Sequence, residues 1–335
     1  MKKHILKFCL FASVMALAAQ ATYAQQSRNS QQRQTSVNNA SQNPALQQAP
    51  QDTVPEPKAT LEIAAPTPSL RNDNAIQRNL VKDRTPLDYE HIREDDAVYM
   101  QRVWREIDIQ EKINLPFAYK AQSEFGDQRF ITILLRAIRN GEITAFSAAG
   151  GDDRFTTPLT WDQIAELLVG APERKQIPDW VNDPDGSKGL MKDTVISAEF
   201  NPDLIQRYWI KEDVIFDKES SRMYTRILGI APVKTITNDD GSFRAVTPVF
   251  WVYYPDLRPM LAQHEVYNGK NYGARMSWEE LFESRMFGSR IIKSTINNPN
   301  DMFINGYIKD PILALLEGEN IKEKIFNYEQ DLWSY

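Results

Sequence analysis

Cysteine is almost missing from this chain: its 335 residues hold one, Cys9, which follows Phe8 in an apolar run near the amino terminus. Everything downstream therefore lacks both a disulfide framework and thiol chemistry. Histidine is nearly as scarce, with His4, His91 and His264 the whole supply. A zinc centre draws three or four ligands from Cys, His and carboxylates. His264-Glu265 matches the opening of a zinc-protease helix, but the position four residues after His264 is Asn268. The 14 glycines form neither a dinucleotide fingerprint nor a phosphate-binding loop, and no Gly-x-Ser-x-Gly elbow occurs. Asp183-x-Asp185-Gly186 reads as a turn and not a calcium loop, since Lys192 stands where the distal Glu belongs. No cofactor, metal or catalytic residue is expected. Long apolar runs are also lacking, and no segment after Ala19 is apolar enough to span a bilayer.

What is present begins with Met1-Lys2-Lys3-His4, a basic head, followed by the apolar stretch Phe8 to Ala19 and small residues up to Ala24. Its apolar core is about a dozen residues, short of the roughly 20 that a spanning helix needs. These features predict an export signal over residues 1–24, cleaved after Ala24, and hence a periplasmic protein. The residue after that point is Gln25, not the cysteine that lipidation requires, so attachment to the outer membrane would come through a partner. Cleavage removes three of the 39 basic residues and leaves 36 against 45 acidic ones, net −9. An acidic chain of this kind is a poor nucleic-acid binder.

Residues 25–80 are rich in Gln and Pro, as in Pro55-Glu56-Pro57 and Ala65-Pro66-Thr67-Pro68, and nearly free of aromatics. The composition predicts a disordered linker. About 45 coil residues span on the order of 35–40 Å, enough to hold a folded domain away from a membrane surface. Residues 81–335 then read as one α+β domain. Asp95 to Ile107 places Val98, Val103, Trp104 and Ile107 at helical spacing, behind the acidic run Glu94-Asp95-Asp96. A second helix is expected from Gln128 to Asn140, stopped by Gly141, then a short strand from Ile143 to Phe146. Thr160-Trp161-Asp162-Gln163 forms a capping box for a helix up to Gly170.

Pro, Gly and Asp break the pattern between Pro172 and Lys192, which reads as a surface loop. Leu204 to Phe216, Arg222 to Thr237 and Phe243 to Tyr254 predict an antiparallel β-meander, the last two strands joined by Asn238-Asp239-Asp240-Gly241. After a short helix from Leu257 to Ala262, Ser277-Trp278-Glu279-Glu280 forms another capping box, for a helix through Met286 and Ile291. Helices over 301–317 and 321–333 close the chain. Helices from both flanks packing with the meander make an α+β fold.

Carboxylate pairs such as Glu94-Asp95-Asp96 and Glu279-Glu280 fall at expected helix starts, where acids favour the dipole. A carboxylate-based envelope hydrolase is one alternative they leave open. Seven tryptophans, from Trp104 to Trp333, all lie in the domain. Trp251 and Tyr253 alternate with Val252 and Tyr254, so that strand is apolar on both faces, and two readings stand: both faces buried under the flanking helices, or one serving a partner. Exposed tryptophans would also suit a glycan- or peptidoglycan-binding module.

An ordered set of segments carries a resemblance: Arg93-Glu94-Asp95-Asp96, Val103-Trp104-Arg105-Glu106-Ile107-Asp108, Glu111-Lys112-Ile113-Asn114-Leu115-Pro116, Gly141-Glu142-Ile143-Thr144-Ala145-Phe146, Tyr254-Pro255-Asp256-Leu257-Arg258 and Ser277-Trp278-Glu279-Glu280-Leu281-Phe282. Together they resemble the PorN/GldN family of the type IX secretion system over roughly residues 85–330. The resemblance implies a non-enzymatic subunit that self-associates in periplasmic rings with the outer-membrane lipoprotein PorK, contacts the PorM shaft and supports export of cargo proteins. A ring subunit needs two complementary surfaces per copy. Its working residues would be aromatic and Arg anchors on exposed faces. The candidates are Trp104, Arg105, Trp278, Arg285 and Tyr307.

Overall fold

The computed structural model describes residues 84–333 apart from 124–125, 171–172, 179–190, 197–199, 238–239, 241–242, 272 and 274, together with 61, 63–67, 69–71 and 75. Contacts divide the chain into Met1–Glu56 and Pro57–Tyr335, and all described residues belong to the second unit. The export signal, most of the Gln/Pro-rich stretch, Trp180 and the turn at 182–186 lie outside the described residues. Leu61, within the stretch assigned to the linker, is buried in the main core.

Residues 97–108 correct the expectation of a helix: Ala97–Asp108 is strand β1. It lies between two other strands, and in its second half side chains of both faces, Val103 and Ile107 on one and Trp104 and Glu106 on the other, are buried, so its alternation is hidden. Arg105 and Glu106, which mimic the wet side of a helix, are paired with opposite charges. The β-branched and aromatic residues Val98, Tyr99, Val103, Trp104 and Ile107 favour the pleated state once those neighbours are in place. The acidic run before it forms a turn and not a helix start.

Next come the small hairpin of β2 (Gln122–Ser123) and β3 (Gly126–Asp127), helix α1 (Phe130–Arg139) and strand β4 (Ala145–Ser147). Helix α1 stands where the sequence predicts it, and Gly141 beyond its end takes φ +76°, a left-handed conformation that favours glycine. Helix α2 (Trp161–Val169) opens with the expected capping box, the Thr160 amide donating to Gln163 Oε1 at 2.9 Å. Strand β5 (Glu173–Pro178), inside the stretch read as a loop, pairs with β6 (Met191–Ile196), which starts at the end of that stretch. Then follow β7 (Ile205–Asp217), β8 (Arg222–Thr237), β9 (Phe243–Pro248) and β10 (Phe250–Tyr253), the expected meander.

Helix α3 is Tyr254–Gln263 and α4 is Trp278–Glu283. The second capping box forms, with Ser277 Oγ accepting from the Glu280 amide at 3.1 Å. Helix α4 does not run on to Ile291. Arg285 turns to φ +53°, and β11 (Arg290–Ser294) begins, with Ile291 opposite Arg105. Asn114 fixes this turn: its side chain accepts from the Gly288 amide at 2.8 Å and donates to the Gly288 carbonyl at 2.9 Å. The end of the chain is α5 (Ile304–Tyr307) and the long α6 (Pro311–Trp333). The break lies at Pro311, where a helix tolerates a missing N–H, and not near residue 318. A Cβ on Gly318 would sit 3.0 Å from the Ile291 carbonyl oxygen, so this glycine lets α6 rest on β11.

Among the described residues, seven strands form one antiparallel sheet in the order β11-β1-β7-β8-β10-β4, with β9 also paired to β8. Paired residues share a face, so Ile107 and Tyr208, or Ile210 and Ile230, look one way, and Trp104 and Lys211 the other. The first face carries the main core under α1 to α4, with Phe130, Leu134, Ile164, Leu257 and Trp278 packed on Ile107, Tyr208 and Phe250. Each such side chain contributes roughly 1.5–3 kcal/mol by leaving water. A smaller cluster on the same face joins Val103, Val214 and Ile291 to Ile304, Ala314 and Ile321 of α5 and α6. Arg105 lies between the two clusters, where it and Arg285 both pair with Glu212, which is fully buried. No helix among the described residues is long and apolar enough to cross a membrane.

Candidate functional site

The second face of the sheet is furnished differently. Trp104 of β1, Trp209 of β7 and Trp251 of β10 form its floor with Ala231 and Val233. They come from separate strands, and only the antiparallel register brings them together. Phe155 closes one side over Gly229, where a Cβ would meet the Phe155 ring at 2.5 Å. Phe303 closes the other, its ring 5.2 Å from that of Trp209. Above the three tryptophans, with Phe303 on one side, is a cavity of about 360 Å³, bordered by Gly150, Gly151, Thr247 and Pro248. A second recess of about 460 Å³ continues past Trp209, Val246 and Phe303 towards Pro311 and Leu315. Cavities of this size suit small ligands or anchoring side chains.

Charges are set among the rings. Lys211 is almost fully buried and donates to the Asp153 carbonyl at 2.7 Å, with the Asp153 carboxylate 3.1 Å away. Burial pushes its pKa down, and Asp153 opposes that shift. Trp104 Nε1 donates to the same carboxylate at 2.7 Å. The Lys293 ammonium lies 4.2 Å from the centre of the Trp104 ring, a favourable cation–π position, and pairs with Asp301 at 2.7 Å. In the second recess Glu106 accepts from Trp209 Nε1 at 3.0 Å and from Arg290, with Arg207 3.8 Å away.

Of the sequence-chosen anchors, Trp104 forms part of this floor at 5% exposure, and Trp278 is at 1% in the main core, its ring 4.6 Å from that of Phe130. Both correct the expectation of exposed anchors: large rings bury most area when packed inward. Trp251 is also covered, and Tyr253 of the same strand is half-buried. Arg105 and Arg285 are brought together, but on Glu212 behind the first face. Tyr307 is 49% exposed. Near it, Ile312, Leu313, Leu315 and Leu316 expose an apolar stripe on the first turns of α6. Trp209, Lys211, Lys293 and Phe303 were not singled out from the sequence. Only the alternation of Trp209 with Lys211 along β7 hinted at them.

Glu279 stands in the first turn of α4, as expected, and is also a buried partner of Arg258 at 2.8 Å. Around that pair, Leu87 donates to Glu279 at 3.2 Å and Tyr254 to Glu283 at 3.0 Å, while Arg258 lies 3.7 Å from the Tyr89 ring centre. Burial, helped by Glu283, raises the pKa of both tyrosines. This cluster seals residues 84–92 onto α3 and α4. Asp152, Asp203 and Asp217 have their carboxyls held low by hydrogen bonds, first from Thr156, Lys120 and Ser220 respectively. A carboxyl poised to donate a proton needs the opposite shift.

The class that this architecture defines is an α+β protein built around one antiparallel sheet with both faces covered. Residues 92–334 match the family described as Gliding motility associated protein GldN, and the chain belongs to that family. It is thus a gliding-motility and secretion component, of a family of structural parts not known as enzymes. No curated protein matches the chain.

Proposed function

We propose that the chain is a non-enzymatic structural subunit of the type IX protein secretion system. In this reading it is exported, its signal cleaved after Ala24, and held under the outer membrane in rings with the lipoprotein PorK. It contacts the PorM shaft and is needed for export of cargo proteins. The family match over residues 92–334 carries the proposal. The apolar stripe of Ile312, Leu313, Leu315 and Leu316 beside Tyr307 supports it by offering exposed surface for contact. The alternatives fare worse. A glycan binder would present a row of solvent-facing tryptophans, whereas Trp104, Trp209, Trp251 and Trp278 are all at most 8% exposed. A carboxylate hydrolase would raise one carboxyl, whereas Asp152, Asp203 and Asp217 move down.

The test is co-purification of the chain from Gln25 onward with the outer-membrane lipoprotein, followed by sizing and electron microscopy. A stable ring far larger than the 38.5 kDa chain is the expected outcome. A monomer that binds no envelope lipoprotein would overturn the reading.

A further inference from the structure

We infer that Leu61 and Ile63 form a detachable pin that docks the segment before the domain onto the main core, giving the amino-terminal arm two lengths. Leu61 is 4% exposed, and Ile63 packs against the same cluster. The other buried members of that cluster all lie between Ile107 and Phe287, so Leu61 is added from outside to a core that the domain builds for itself. Arg139, the last residue of α1, donates to the Ile63 carbonyl at 3.4 Å, which places the seat beside the end of that helix. This pin is a property of the single chain and stands apart from its reading as a ring subunit.

The sequence suits the role. Leu61 and Ile63 are the only branched aliphatic pair two positions apart between residues 25 and 80, and in an extended chain such a pair shares one face. Pro55, Pro57, Pro66 and Pro68 bracket them, which keeps both flanks out of helix and lowers the entropy lost on docking. The contact is also confined. Ala64, Ala65, Pro66 and Thr67 are exposed, as is Leu70 at 98%, and residues 61 and 63–67 take no part in any strand. Few contacts and exposed neighbours mark a segment that opens locally, apart from the fold. The 20 residues 64–83 then separate the pin from the seal of residues 84–92, where Arg84 meets Glu280 at 2.7 Å and Leu87 donates to Glu279. Seated, the pin makes the arm leave the domain at Leu61, beside α1. Released, it moves the exit to Arg84, beside α4, and frees those 20 residues, up to roughly 66–72 Å when extended.

Once residues 1–24 are removed the chain holds no cysteine, so single cysteines report their positions by their rate of alkylation in the folded protein. Leu61→Cys should react about ten-fold more slowly than Leu70→Cys and well faster than Leu134→Cys, whose position is 0% exposed. Low urea should speed Leu134→Cys steeply but Leu61→Cys little, because a local opening exposes little surface. Adding Ile63→Ser to Leu61→Cys should bring its rate to that of Leu70→Cys, with the melting temperature of the domain nearly unchanged. Tied to the domain, the segment acts at an effective concentration in the millimolar range. A free peptide of residues 57–67 at several millimolar should therefore speed Leu61→Cys a few-fold, and the same peptide carrying Leu61→Ser and Ile63→Ser should not.

Leu61→Cys reacting as fast as Leu70→Cys would overturn the pin. A rate and a urea response that follow Leu134→Cys would make Leu61 a fixed part of the core and overturn its detachment, as would a peptide without effect. Protection of Leu61→Cys that grows with protein concentration would give the seat to the segment of a second copy and overturn the assignment to this chain's own. Chymotrypsin on the unsubstituted chain decides the matter if the smaller cysteine itself loosens the seat. It should cut after Leu70 well before Leu61, judged against cleavage of both in a free peptide of residues 57–73. Equally early cutting at the two leucines on that scale would overturn the proposal.

Discussion

On the face of the sheet turned towards α1 to α4, the largest side chains touch mainly one another: Phe117 lies 5.3 Å from Phe130, 4.9 Å from Trp278 and 5.5 Å from Tyr208, ring centre to ring centre. On the opposite face Trp104, Trp209 and Trp251 share their surroundings with Lys211, Lys293, Asp153 and Glu106, and space remains above them. The strands and the register are the same. The difference is that one face gains its energy from close apolar packing, which leaves no room, and the other combines rings with satisfied charges. The first stabilises the fold, and the second has capacity left for contact.

The comparison is broken most severely from the first face. Phe130→Ala should cost about 3–5 kcal/mol in urea denaturation, through lost burial plus a cavity. Glu212→Ala leaves Arg105 and Arg285 without their shared partner and should cost about 3–5 kcal/mol by the same measurement. A cost under 1 kcal/mol would mean that this charge trio is loosely solvated. Gly318→Val should cost about 1–3 kcal/mol by forcing α6 off Ile291. Gly318→Ala is the finer probe, since a gain of about 1 kcal/mol in helix propensity opposes the tighter contact.

A smaller effect comes from His264, which closes α3 with Nδ1 2.9 Å from the Met260 carbonyl. Burial lowers its pKa from the usual 6.5, with Arg136 adding to the effect and Glu142 opposing it. The unfolded chain takes up this proton more readily, so stability is fully present above pH 6.5 and declines as the pH falls through 6.5 towards the lower folded value. Replacing it, His264→Gln, should flatten that part of the profile in denaturation midpoints measured from pH 7.5 to 5.5. Smallest of all, Thr247→Trp on the second face should alter stability by no more than about 0.5 kcal/mol. A large loss there would erase the contrast between the faces.

Elements with a local signal were legible in the sequence. Helices α1, α2 and α4 begin where caps and apolar spacing put them, and the meander of β7 to β10 follows from its β-branched runs. Elements whose identity depends on neighbours were not. Val98, Val103, Trp104 and Ile107 fit a helical face as well as a strand, and only β7 and β11 on either side decide between the two. Ile291 fits the periodicity of α4, but the clamp of Asn114 on Gly288, 174 positions apart, starts a new strand. Gly318 looks like a stop until β11 is seen beneath it. The cleft was hidden for the same reason. Trp104, Trp209 and Trp251 are far apart in the chain, and of the three only Trp104 was among the chosen anchors, for an exposure it does not have.

The seat of α6 on β11 has a further consequence. In the sheet order β11 is an outermost strand, and such strands carry peptide groups that invite another chain to extend the sheet. The approach of Gly318 to the Ile291 carbonyl places a helix where an added strand would lie close to the backbone. Contacts that another chain makes at this edge are then left to side chains, which can discriminate, and not to backbone, which joins any strand to any other.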